Sequence, residues 1–481
     1  MTRDYRLGLR TLREEVSTPL AVEGTLPDWL SGTFLRNGPG RFEVGGRRVD
    51  HWFDGLAMLR RFAVDGSDGA GAVAYANRFL RSEEFRSVSE RDRLARAQFG
   101  TVPRSPLARL RGLFALTDNA SIGVDWVGGR YVAVTETPRM VAFDPESLES
   151  GPTVRFDDGI EATGTLGHPH WDPRRDELVN LGVRYGPGTS EYLLLRRDRG
   201  AARRELVGAV PADRRSYVHS FALAADYAVL VESPLTVAPG ALLTGGSFAE
   251  ALTWRPDRGT RLTVLERRTG AVVDRPVVDP FFAFHHANAY QDDDALVVDL
   301  IAYDGDAVAP LSLANLRSDA PDLPTGELRR YRIDLAATGA TVDREVLHPG
   351  PVEFPTIDYR GRNGRPHRYV YAAGNRERPP GGLPDRVCKV DTSAGAEVAA
   401  WCAADCYPGE AVFVPAPDQG AEDDGVLLSV VLDADAERSF LLVLDAADLT
   451  ERARAPLPHA LPFGFHGHFV RDLADPVRSM A

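Results

Sequence analysis

The chain has 481 residues, a formal net charge of −13 at pH 7 and 26% charged residues. That acidic balance offers no basic stripe and argues against a nucleic-acid partner. The apolar fraction, 43%, is that of a soluble globular protein, and Lys389 is the only lysine, so arginine carries nearly all the positive charge.

Taken in chain order, the N-terminal MTRDYRLGLRTLREE has charges and no apolar core, so it does not read as a secretory signal. Residues 88–99 (VSERDRLARAQF) predict a helix. Residues 103–117 predict a basic amphipathic segment, with Leu107, Leu110 and Phe114 on one face and Arg104, Arg109 and Arg111 flanking it. Short strand-like runs then dominate: RYVAVTE, RMVAFDP, YLLLRRD, DYAVLVE, DALVVDLIAYD, LRRYRIDL, HRYVYAAG, GVLLSVVLD and SFLLVLDAADL. VLERRTGAVVD reads as a hairpin turning at Thr269-Gly270. Residues 234–260 are too apolar and irregular for a regular strand unit.

Strands of this length between Gly, Pro, Asp and Asn turns predict an all-β sandwich, barrel or propeller. No WD or kelch repeat selects among them. The length exceeds that of one ordinary core, although a propeller grows by adding blades around an axis. No linker stands out, so a single domain over 1–481 is expected. Asp226, Glu232, Asp294 and Asp299 interrupt the best candidates for a membrane span. The expectation is a cytoplasmic chain, with peripheral membrane contact left open.

Cys388, Cys402 and Cys406 lie close together and read as buried free thiols in preference to a zinc site or disulfide. There is no GxGxxG, Walker loop or GxSxG elbow. The chemistry lies in four histidines, each beside the end of a strand-like run: His168 in GTLGHPHWD, His219 in YVHSFAL, His285 in FFAFHHANAY and His466 in LPFGFHGHF. Neutral imidazole is the commonest protein ligand for iron, zinc, copper or nickel. Residues so far apart in sequence meet only if several sheets converge on one centre. Any one of them alone would read as an ordinary hydrogen-bonded histidine.

Together with LPDWLSGTFLRNGPGRFEVG, HWFDGLAML, VTETPR, EFPTIDYR, PGEAVFVPAPD and EDDGVLLSVVLD, these phrases resemble the carotenoid cleavage oxygenase family over nearly the whole chain. That family includes the animal β-carotene oxygenases and the retinoid isomerase of the visual cycle. The resemblance implies a seven-bladed β-propeller with an axial metal site and a helical and loop dome over one face, to which residues 88–117 and 234–260 are assigned. It implies one Fe(2+) held by His168, His219, His285 and His466, and not by His170, His286 or His468. It places Glu136, Glu353 and Glu410 behind His219, His285 and His466, and leaves His168 without a glutamate. His51 is expected to be structural. Four neutral imidazoles leave two positions of an octahedral iron open, whereas zinc would favour a closed tetrahedron.

The implied activity is cleavage of a conjugated double bond of a carotenoid or apocarotenoid by dioxygen. HWFDGLAML and EDDGVLLSVV most resemble the β-carotene oxygenase and retinoid isomerase branch, and that resemblance implies central cleavage yielding retinal. A retinoid isomerohydrolase and a stilbene-cleaving dioxygenase are the alternatives on the same iron. The acylated cysteine of the visual-cycle isomerase does not transfer, because residues 95–120 contain no cysteine. A lipid-dissolved substrate makes Leu107, Leu110 and Phe114 candidates for membrane docking at the entry.

Overall fold

Strand runs that read as almost uniformly apolar prove to be the middle strands of stacked sheets, buried on both faces. Ala295–Ala302 is buried at every position, and Arg438–Asp445 at six of eight. Outer strands alternate instead, as in Ala396–Trp401 and Glu451–Pro456. The computed structural model describes residues 4–476 apart from 68, 70, 106–115, 187–188, 239–245 and 336–338.

Seven antiparallel sheets of four to six strands follow one another along the chain as the blades of a propeller, with two further two-stranded pairs inserted between strands of the first and fourth blades. Blade 1 holds Ser31–Arg41, Leu56–Asp65 and Ala72–Phe79, and blade 7 holds Gly425–Asp433, Arg438–Asp445 and Glu451–Pro456. The ring closes at both ends of the chain. Gly467–Val470 pairs with Ser31–Arg41 in blade 1, and Glu23–Gly24 pairs with Glu451–Pro456 in blade 7.

Apolar clusters join neighbouring blades. At the closure, Phe34, Phe62 and Tyr75 of blade 1 pack on Val414, Leu428 and Leu441 of blade 7, all at most 1% exposed. Burying a side chain of this size stabilises by roughly 1.5–3 kcal/mol. The seam between blades 2 and 3 is more polar. There Arg197 pairs with Asp125 and donates to the Trp126 carbonyl (3.1 Å), and Arg204 stacks on Phe156, 4.2 Å from the ring centre.

Three local expectations change. The helix read over 88–99 runs instead over Glu83–Arg91, because Ser82 caps its start by accepting from the Phe85 N–H and Asp92 ends it in the left-handed region at φ 47°. Leu94 then turns into the cluster of Phe42 and Trp52, and Glu84 accepts the Ala95 N–H (2.7 Å). Within 234–260, Leu235–Val237 pairs with Leu252–Trp254 in a small sheet outside the blades. Cys388 and Cys406 are buried free thiols, but Cys402 is exposed. Leu107, Leu110 and Phe114 lie outside the described residues. Among the described residues, no helix is long and apolar enough to cross a membrane.

Candidate metal centre

The strand edges nearest the axis deliver the site. His168 stands just before His170–Asp172 in blade 3, His219 before Ala222–Leu223 in blade 4, His285 before His286–Asp292 in blade 5, and His466 before Gly467–Val470 in blade 1. Their ligand atoms all fall within 4.8 Å of one another. His168 Nε2 lies 3.1 Å from His219 Nε2, and His285 Nε2 lies 3.2 Å from His466 Nε2. Two nitrogens bound side by side at about 2.1 Å to one ion would be roughly 3 Å apart.

Blades 2, 6 and 7 supply the carboxylates. Glu136 follows Arg130–Val134, Glu353 lies in Val352–Thr356, and Glu410 falls between Cys406–Pro408 and Val412–Pro415. Glu136 Oε1 meets His219 Nδ1 at 2.6 Å, Glu353 Oε2 meets His285 Nδ1 at 2.6 Å, and Glu410 Oε1 meets His466 Nδ1 at 2.8 Å. No carboxylate among the described residues pairs with His168. An ionised glutamate can only accept, so Nδ1 carries the proton in those three rings and Nε2 presents a bare lone pair. The lone pairs of His285 and His466, facing each other at 3.2 Å, cannot hydrogen-bond. A cation between them resolves the repulsion, so the donor set fits a metal ion.

The protonation states agree. Burial, with the neighbouring imidazoles, holds His168 well below the usual range, and burial lowers His466 to about 4 against the pull of Glu410. Neutral rings bind a metal without releasing a proton. Burial works against ionisation of Glu410, but His466 and Arg36 outweigh it and hold this carboxyl at about 2.

The other histidines are occupied elsewhere. His170 reaches the Phe221 carbonyl at 2.8 Å and Tyr359 at 3.0 Å, and His286 Nδ1 lies 2.7 Å from Ser220 Oγ. His51 Nε2 lies 3.1 Å from the Val308 carbonyl, and its Nδ1 accepts the Phe53 N–H, which is a structural role.

Above the histidines lies a cavity of about 1580 Å³ whose wall includes Phe53, Phe99, Phe248, Phe284, Phe354 and Phe465. Segments 97–103, 246–248 and 380–384 contribute to it together with the inner ends of the blades. Phe354 adopts φ 53°, a rare conformation for a bulky side chain. Its ring thereby stands 5.4 Å from His285 and 5.5 Å from His466, centre to centre. The strand register breaks between Glu353 and Thr356, which turns Glu353 toward His285.

The retinal pigment epithelial membrane protein family matches residues 9–471. The carotenoid isomerooxygenase of Galleria mellonella is 35% identical over 97% of this chain and 96% of its own length. The β,β-carotene 15,15′-dioxygenase of Rattus norvegicus is 30% identical, covering 96% and 90%. The chain belongs to the carotenoid oxygenase family. Among solved structures, a cobalt-substituted apocarotenoid oxygenase of Synechocystis superposes with a TM-score of 0.85 at 29% identity, covering 98% of this chain and 99% of that one.

Membership in this family does not exhaust the site. Two residues of the quoted phrases had no assignment from sequence. Tyr217, two residues before His219, donates its hydroxyl to Glu136 Oε1 (2.9 Å). Arg36 of LRNGPGR lies 2.5 Å from Glu410 Oε2. Tyr217 could have been read from its spacing, since residues i and i+2 of an extended segment share a side. For Arg36 no local signal existed, because 374 residues separate it from its partner.

Proposed function

We propose that this chain is a ferrous-iron dioxygenase that cleaves a conjugated double bond of a carotenoid or apocarotenoid to aldehyde or ketone products. The carrying observation is the convergence of four imidazoles, three of them in the wall of a large aromatic cavity. A ferrous ion held by His168, His219, His285 and His466 would supply the activation of dioxygen, with two of its positions left free by this donor set.

The residues of the chain do the rest. Glu136, Glu353 and Glu410 fix the tautomer and angle of three rings and raise their basicity. The phenylalanine walls take an apolar polyene and exclude bulk water, and the ring of Phe354 limits approach to the His285 and His466 side. The cavity shape then selects which double bond lies over the centre. Central cleavage of β-carotene to two molecules of retinal is the specific form we favour, in keeping with the activity named for the rat relative. The amphipathic stretch 103–117 is its proposed contact with a lipid surface, from which such a substrate would be drawn.

The test is anaerobic loading with ferrous iron, addition of β-carotene in air, and chromatography of the products. A single retinoid is expected. Two products of unequal length would overturn central cleavage, and no cleavage by fully loaded protein of β-carotene or its apocarotenoids would overturn the substrate class.

A further inference from the structure

The three carboxylates around the centre are not equivalent. Glu136 meets His219 and the neutral hydroxyl of Tyr217. Glu353 meets His285, the Phe354 N–H and the neutral hydroxyl of Tyr303. Among the described residues, neither glutamate pairs with an arginine or lysine. Glu410 does, through Arg36 Nη1 at 2.5 Å.

Arg36 is 2% exposed, and its other nitrogen donates to the Phe465 carbonyl at 2.8 Å. It is absent from the cavity wall, so it does not touch substrate. The fold leaves room for it: a Cβ on Gly467 would fall 2.3 Å from Arg36 Cδ. Arg60, the neighbouring buried arginine, donates to the carbonyls of Pro39 and Pro462 and bonds none of the three glutamates.

A divalent ion among four neutral imidazoles carries the charge that two carboxylates match. A third carboxylate would leave the buried cluster with one negative charge in excess, which is costly at low dielectric and favours a trivalent ion. We propose that Arg36 is a positioning residue that cancels the charge of Glu410, so that the centre as a whole is neutral with a divalent ion and holds iron in the ferrous state. This rests on the ferrous reading above, which wild-type iron content and carotenoid cleavage test separately.

The experiment is a redox titration of the iron-loaded protein, following the ferric signal by electron paramagnetic resonance. Arg36→Met should shift the preference toward ferric iron at least ten-fold, lowering the potential by 59 mV or more for this one-electron couple. Glu410→Gln should raise it, the double variant Arg36→Met/Glu410→Gln should return toward the wild-type value, and Arg36→Lys should keep that value. A purely structural role would weaken both iron states together and leave the potential in place. An unchanged potential in Arg36→Met, or a double variant that fails to return, overturns the proposal. If Arg36→Met does not fold, Arg36→Lys and Glu410→Gln decide: equal potentials in those two variants overturn it as well.

Discussion

Glu410, beside the axis, and Asp54, in the cavity wall, are both carboxyls shielded from solvent, and they are displaced in opposite directions. Glu410 faces Arg36, His466 and the Gly467 N–H (3.0 Å), and is held at about 2 although burial opposes its charge. Asp54 is 1% exposed and receives neutral donors, the Gly100 N–H (3.0 Å) and the Thr101 hydroxyl (2.6 Å). Burial therefore prevails and pushes it up to about 6. The direction is decided by the partners, His466 first and Arg36 after it, and not by depth. At the axis a carboxylate is kept charged to orient an imidazole. In the wall the carboxyl clips the 100–101 backbone in place, and its charge is a liability.

The largest effect should come from breaking the axis. His466→Ala removes one of four donors and leaves Glu410 without its imidazole, so metal analysis should find iron near zero. His168→Ala, His219→Ala and His285→Ala should do the same, while His286→Ala and His468→Ala retain iron. Loss of iron in His286→Ala with retention in His285→Ala would shift the ligand to the neighbouring ring.

A smaller loss is expected from the carboxylates themselves. Glu410→Gln and Glu136→Gln still accept the imidazole N–H but lack the charge, so iron affinity should fall roughly ten- to a hundred-fold. Titration with ferrous iron under anaerobic conditions reads this directly, and wild-type affinity in both would separate these glutamates from the metal.

At the wall the readout is pH. Asp54 has its folded pKa raised from 3.8 to about 6, so its contribution to stability is full below 3.8 and is lost as pH rises through 6. Asp54→Asn cannot titrate. The stability advantage of wild type over the variant should therefore shrink by about 2–3 kcal/mol between pH 4 and pH 8, measured by denaturant unfolding, with iron content unchanged. A constant gap would mean that Asp54 titrates as an ordinary carboxyl.

The smallest change is expected at the proposed lipid contact. Leu110→Glu/Phe114→Glu should reduce liposome binding while leaving iron content and thermal stability near wild type. A clear drop in thermal stability without loss of liposome binding would assign these side chains to the protein core.

Legibility differed between the same two regions. The axis was readable because each of the four histidines sits at a strand end inside a distinctive phrase. In the structure Glu136 meets His219, Glu353 meets His285 and Glu410 meets His466. Strand positions were readable from apolar runs, as in the hairpin at Thr269-Gly270, where the Gly270 N–H bonds the Glu266 carbonyl. The helix after Ser82 was displaced because its boundaries depend on a cap and on a left-handed Asp92, while the apolar pattern continues beyond it to Leu94. The cavity wall was not readable at all. Phe53, Phe99, Phe284 and Phe465 come from four separate segments, and only the closed ring brings them together.

The most direct test of the central claim supplies labelled dioxygen in ordinary water to the iron-loaded protein with its carotenoid substrate, at reaction times short enough to limit exchange. A dioxygenase places one labelled atom in each carbonyl product, and that is the expected result. Label in only one product, or turnover without dioxygen, would contradict the account.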